Sequence, residues 1–270
     1  MAWVNNFKTS EEKFLASCVL ESIIFRNKSA MSAFSSQIFH IILPQLLSDK
    51  KIYEIESLSK WENDLMSPKS RSIFPFRFTT IEGVDKKTGK SGQSLIRDVQ
   101  REFFDKDLNL SIYTLTEPNF VKRAKSSINT IIILDDVQVT GSQFTEFIEK
   151  FNLTESPFHY IYIPYAAFED SLNELNSRYE NIDIQPVEVL SKEHSFFSEK
   201  NEALGTNDIE LASNLKSMYL DIYKKYDIKL DEPLGFGEHA LTYIFNNSTP
   251  NNNLPLLSYN DDNWKKLFTR

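Results

Sequence analysis

The run INTIIIL (128–134) constrains the fold of this chain more than any other segment. Its β-branched and apolar residues read as a strand buried on both faces. Such a strand belongs inside a parallel sheet covered by helices on both sides. The neighbouring segments fit that frame. FPFRFTTI (74–81) and LSIYTL (110–115) read as strands, with the helical period of QSLIRDVQREFF (93–104) between them. After the central run come a helix at 142–151, a strand at 158–165, a helix at 166–179 and a strand at 182–190. The βαβα alternation predicts a Rossmann-like α/β fold with a mostly parallel sheet.

The flanks differ from this core. Thr9 and Glu12 have capping-box spacing, and Phe14, Leu15, Cys18, Val19 and Ile23 follow at helical intervals. A second helix is expected from about Ser29 to Leu47, kinked or ended by Pro44. The expected division is therefore a helical extension or cap over 1–65 and an α/β domain over 66–270. Within the latter, 206–226 reads as a strong helix and 234–245 as a Gly-bounded strand. An Asn/Pro-rich loop follows at 246–260.

Composition narrows the function classes. A net charge of −8 argues against a whole-molecule electrostatic grip on nucleic acid. The single Cys18 excludes an intramolecular disulfide and any multi-cysteine metal site, and suits a reducing compartment. His40, His159, His194 and His239 are scattered without metal-ligand spacing. The opening residues lead into TSEEK (9–13), not into a basic and then apolar leader. The apolar stretch Ile38–Leu47 is too short to span a bilayer. A cytoplasmic protein without a membrane partner is the expectation.

The chemistry concentrates where the buried run ends. Asp135 and Asp136 are followed by VQVTGS (137–142) and then by helix. Ligands of an open parallel sheet bind at the carboxyl ends of its strands, where a loop feeds a helix N-terminus. Backbone amides there, with the Thr140 and Ser142 hydroxyls, can hold a phosphate, and Gly141 permits a tight turn and close backbone approach. Two carboxylates before that cradle suit the vicinal hydroxyls of a ribose and Mg²⁺ held directly or through water.

IIILDDVQVTGS (131–142) resembles the phosphoribosyl-pyrophosphate (PRPP) motif of type I phosphoribosyltransferases. The resemblance implies that Asp135 and Asp136 face the ribose hydroxyls and Mg²⁺. It also implies that Val139, Thr140, Gly141 and Ser142 bind the 5′-phosphate. The family often carries a small or hydroxyl residue where Val139 stands, so one side-chain hydrogen bond is missing here. A loop holding pyrophosphate is implied at Lys90, Ser91, Gly92 and Ser94, and a hood over the substrate at Lys122 and Arg123. The tail PLGFGEHALTYIFNNSTPNNNLPLL (233–257) is similar to the end of a bacterial phosphoribosyltransferase-like group of conflict-system, retron-associated effectors. In that light Asn251 and Asn252 are candidates for recognising a base or acceptor.

The implied activity is glycosyl transfer: ribose-phosphate moved to or from a nitrogenous acceptor, with PRPP and Mg²⁺, as an antiphage effector. The alternative is a catalytically silent module that senses PRPP or a nucleotide and docks a partner. That partner could be a reverse transcriptase carrying nucleic acid, or a second copy of the chain. A third reading takes GVDKKTGKS (83–91) as an ATPase P-loop, but five residues separate Gly83 from Gly89 where that turn needs four.

Overall fold

A computed structural model describes residues 2–67, 69–81, 95, 96, 98, 99, 102–104, 127–204 and 209–269. Two compact units emerge, Met1–Met31 with Leu190–Arg270, and Ser32–Val189. The expected strand at 110–115 and the loop at 82–92 lie outside the described residues.

The Ser32–Val189 unit holds the sheet. Strands β2 (Phe76–Thr80), β3 (Thr130–Gln138), β4 (His159–Phe168) and β5 (Ile182–Ile184) lie in that order, and each pair is parallel. A short strand β6 (Glu188–Leu190) also pairs with β4. Ile131 to Leu134 are fully buried, as the sequence predicts for a central strand. On one face Ile131, Ile133, Tyr160, Tyr162, Ile182 and Ile184 pack under α6 (Ser142–Lys150) and α7 (Glu169–Arg178). The other face is aromatic. Phe39 lies against Phe78, Phe103 and Phe104, while Trp61 meets Phe74 and Phe76.

Phe39 and Trp61 come from the helical layer preceding β2. There α2 (Lys28–Gln37) runs through a π-turn at Ile38–Ile42 into α3 (Leu43–Asp49), and α4 (Leu58–Met66) follows. Of the two outcomes expected at Pro44, a kink or an end, the helix does not end there. Pro44 occupies the first turn of α3, where its missing N–H costs little, and the π-turn absorbs the change in bonding. The continuous helix Lys28–Asp49 spans 22 residues, so by length and composition it passes the test for crossing a bilayer that its apolar segment alone fails. One side of it is packed, with Ser35, Ile38, Phe39, Ile42, Leu43 and Leu47 buried, while Ile41 is 57% exposed. The Trp61 indole N–H donates to the Phe39 carbonyl at 2.7 Å.

Strand boundaries moved where long-range pairing outweighs local pattern. β3 continues through the acids to Gln138, and β4 takes Ala166–Phe168, which were expected to open a helix. Ala166 and Ala167 pair with Val137 and Gln138, so the longer β3 draws β4 out with it. The strand expected over 182–190 is broken by Gln185–Val187 into β5 and β6, since Pro186 supplies no N–H to a ladder.

In the other unit, α1 (Ser10–Glu21) opens on the expected capping box, with the Thr9 side chain bonded to the Glu12 amide. Strand β1 (Ile24–Arg26), absent from the sequence reading, pairs in parallel with β7 (Tyr243–Phe245), the only strand within the expected 234–245 segment. Trp3, Phe7, Leu15 and Val19 share a core with Tyr219 and Ile222 of α8 (Ile209–Lys225), and with Leu254, Leu257 and Trp264. The Trp3 indole donates to the Leu256 carbonyl at 2.9 Å, and Asn6 exchanges two hydrogen bonds with the Lys265 backbone. The C-terminal Asn-rich segment is structural here. Asn252 Nδ2 donates to the Phe236 carbonyl, and the Asn252 and Asn253 backbone lies so close to Gly235 that a Cβ there would sit 2.5 Å from the Asn253 oxygen.

Among the described residues of this unit, Glu12 is the buried acid. Burial opposes its ionisation, yet hydrogen bonds from Lys225, the Lys8 and Thr9 amides and Tyr226 outweigh that penalty and bring its pKa down to about 2. The lowered folded-state value means that its contribution is complete above pH 4.5 and is lost as pH falls toward 2. With screening at the half-exposed Lys225, that contribution is on the order of 1 kcal/mol. Glu12→Gln should flatten the acid limb of a melting-temperature profile between pH 4.5 and 2. An unchanged acid limb would remove Glu12 from the account.

Candidate functional site

The carboxyl ends of β3 and β4 meet the N-terminus of α6 at the turn Gln138–Gly141. The two acids that precede this turn hold alternating positions of β3, yet at the strand's end their carboxyl groups come within side-chain hydrogen-bond reach of each other. Asp135 shares the face of Ile131 and Ile133 and is 8% exposed. Its Oδ2 accepts from the Tyr162 hydroxyl at 2.8 Å, and its Oδ1 accepts from the Asp136 amide at 3.0 Å. Burial, reinforced by the neighbouring Asp136 charge, pushes the Asp135 carboxyl well above the usual carboxylate range despite the bond from Tyr162. Asp136 is half-buried, its Oδ1 accepting from the Val137 amide at 2.8 Å.

The turn itself depends on one glycine. Gly141 is in the left-handed region (φ 72°, ψ −7°) and starts α6 without a side-chain cap. The helix N-terminus therefore lies beside the Thr140 and Ser142 hydroxyls, which are 2.8 Å apart, and the Ser142 amide donates to Thr140 Oγ1 at 3.4 Å. Ser142 is exposed and Thr140 half-exposed, whereas Val139 is buried. Val139 thus anchors the turn by its side chain and contributes to the site only through its backbone.

A polar latch fixes the turn from behind. Ser171, in the first turn of α7, donates to the Val139 carbonyl at 2.6 Å and accepts from Gln138 Nε2 at 2.8 Å. Ser171→Ala would strand a buried amide and a buried carbonyl, a loss of about 2 kcal/mol. Urea unfolding measures it, and an unshifted midpoint would show that the latch contributes nothing.

Asp135, Asp136, Val139, Thr140, Gly141 and Ser142 are therefore brought to one strand-to-helix junction, with Asp135 on its inner side. Lys90, Ser91, Gly92, Ser94, Lys122 and Arg123 lie outside the described residues. Asn251 is exposed in the other unit, and Asn252 there is committed to the Phe236 carbonyl. Among the described residues no cluster of three or more His, Cys, Asp or Glu side chains forms a protein-only metal cage. Sequence reasoning missed Tyr162, Gln138 and Ser171. A signal existed for Tyr162, since a parallel strand after INTIIIL places alternate tyrosines of HYIYIPY on one sheet face.

A parallel sheet with helices on both faces, and an acid-rich strand end feeding a glycine turn at a helix N-terminus, define a phosphoribosyltransferase-type α/β fold. The chain belongs to the PRTase-CE family, whose model matches residues 1–270. No curated protein matches it in sequence.

Proposed function

We propose that the β3–α6 junction binds PRPP with Mg²⁺ and that the protein transfers ribose-phosphate to or from a nitrogenous acceptor. The observation that supports this most directly is the left-handed Gly141 turn, uncapped and flanked by two hydroxyls, directly after a half-exposed carboxylate. The first amides of α6, with Thr140 and Ser142, take the 5′-phosphate, as helix N-termini take anions. Asp136 faces the ribose hydroxyls.

Magnesium fits this donor set in one way. Mg²⁺ is commonly held by one or two carboxylates together with substrate phosphates and water, and Asp136 supplies a carboxylate of that kind. When bound, the ion would neutralise the pyrophosphate of the substrate. The chain's own part is to fix the sugar and phosphate so that a leaving pyrophosphate separates from an oxocarbenium-like ribose in a set orientation. Lys90, Ser91, Gly92 and Ser94 are assigned to the pyrophosphate, and Lys122 and Arg123 to the hood, on the family resemblance. The same resemblance supports a cytoplasmic antiphage effector, with a reverse transcriptase complex as partner.

The test is incubation of the purified chain with PRPP and Mg²⁺, alone and with candidate bases or nucleotides, following pyrophosphate. Saturable binding with pyrophosphate release is expected. Saturable binding without release under every acceptor would replace transfer by sensing, and no binding would overturn the PRPP assignment.

A further inference from the structure

The two acids at the end of β3 are adjacent in sequence but not equivalent in space. Resting on the PRPP reading, we infer that Asp135 and Tyr162 form a positioning pair. The pair touches no ligand and sets the acid strand and the phosphate turn relative to each other. Asp136 alone then offers a carboxylate to the ribose.

The geometry on the inner face carries this. Tyr162 lies opposite Ile133 in the neighbouring strand, and its hydroxyl reaches along the sheet to Asp135 Oδ2. Its ring stacks on Phe144 at 4.1 Å between centroids and 14° between planes. Phe144 is the third residue of α6, in the first turn of the helix whose N-terminus forms the phosphate cradle. Behind Phe144, Tyr179 closes the layer edge-on at 6.0 Å. Tyr162 is thereby bonded to the acid strand at its hydroxyl and to the phosphate helix at its ring. Asp135 passes the restraint onward, because its second oxygen holds the Asp136 amide at 3.0 Å.

The same layer excludes a ligand from the inner side. Asp135 is buried beneath aromatic side chains, both its oxygens are engaged, and Leu175 stands within 3.3 Å of where a Gly141 Cβ would lie. A sugar approaching the junction therefore meets the less buried carboxylate of Asp136 first.

Titration calorimetry of the full chain with PRPP and Mg²⁺ tests the division, with thermal melts run on each variant. Asp135→Ala and Tyr162→Phe should each weaken binding about tenfold, the range for groups that orient a binding side chain. Together they should weaken it no more than the worse of the two. Asp135→Asn should restore affinity to within threefold of wild type. Its carboxamide oxygen can accept from the Asp136 amide while its NH₂ donates to the Tyr162 hydroxyl, which can accept as well as donate. A purely structural role would lower melting temperatures without moving the affinity of the folded protein, and that result overturns the inference. So does an Asp135→Asn loss as large as that of Asp136→Asn, which would place Asp135 on the ligand. If Tyr162→Phe does not fold, the Asp135→Ala and Asp135→Asn comparison decides alone. Absence of PRPP binding by the wild-type chain overturns the functional reading, and the division falls with it.

Discussion

Gly141→Val is expected to weaken PRPP–Mg²⁺ binding at least about a hundredfold and to cost about 3 kcal/mol of stability. The backbone at Gly141 has φ 72°, a region that a β-branched residue occupies only under strain. A Cβ there would lie 3.2 Å from Gln138 Nε2 and 3.2 Å from Leu175 Cδ1, so neighbours must yield before the γ-methyls are placed. Gln138 is not free to move, because it is tied to Ser171. Relief of strain must then come from the turn, which withdraws the α6 amides from their alignment. Gly141→Ala should fall between wild type and valine in both measurements. Calorimetry and urea unfolding report the two effects separately. Full affinity in the valine variant would show that the turn does not hold the phosphate.

The second large effect is expected at Asp136, with the opposite balance. Asp136→Asn should lower PRPP-dependent pyrophosphate release by roughly 10²–10³-fold, as loss of one preorganised polar group does in comparable sites. It should leave the melting temperature unchanged or raised, since the Asp136 charge disfavours ionisation of Asp135 beside it. Activity loss without destabilisation separates a group that faces the ligand from one that supports the fold. A variant that releases pyrophosphate at the wild-type rate would remove Asp136 from the site.

Much of this arrangement was legible in the residues themselves. INTIIIL could be little other than a buried strand, and DDVQVTGS carried its acids, glycine and helix start in one contiguous segment. Contiguity made the motif readable. What holds the motif in place was not contiguous. Tyr162 is 27 residues from Asp135, and Ser171 is 33 from Gln138. Each pairing exists only because β3 and β4 are neighbours and α7 returns over them. Periodicity assigns a face to a side chain but cannot say which side chain of another element will meet it. The same limit explains Ala166–Phe168, whose local pattern favours a helix until the elongated β3 offers them a ladder. In the Asn-rich tail, the Asn252 amide, one of the two that suit base recognition by composition, is spent on the Phe236 carbonyl, while Asn251 stays exposed.

The unit containing Trp3 imposes an order on biosynthesis. Its core joins residues 3–19 to residues 254–264, and the Trp3–Leu256 and Asn6–Lys265 bonds close loops of 253 and 259 residues. The Ser32–Val189 unit has all its strands in hand once β5 and β6 are made. Trp3 and Phe7, by contrast, are covered only once residues about 250 positions further along the chain, Leu254, Leu257 and Trp264, have been made. Until then Trp3 and Phe7 are apolar surface without the cover they have in the folded unit. A chain cut near residue 250 would leave that surface uncovered even though strands β2 to β6 all precede the cut.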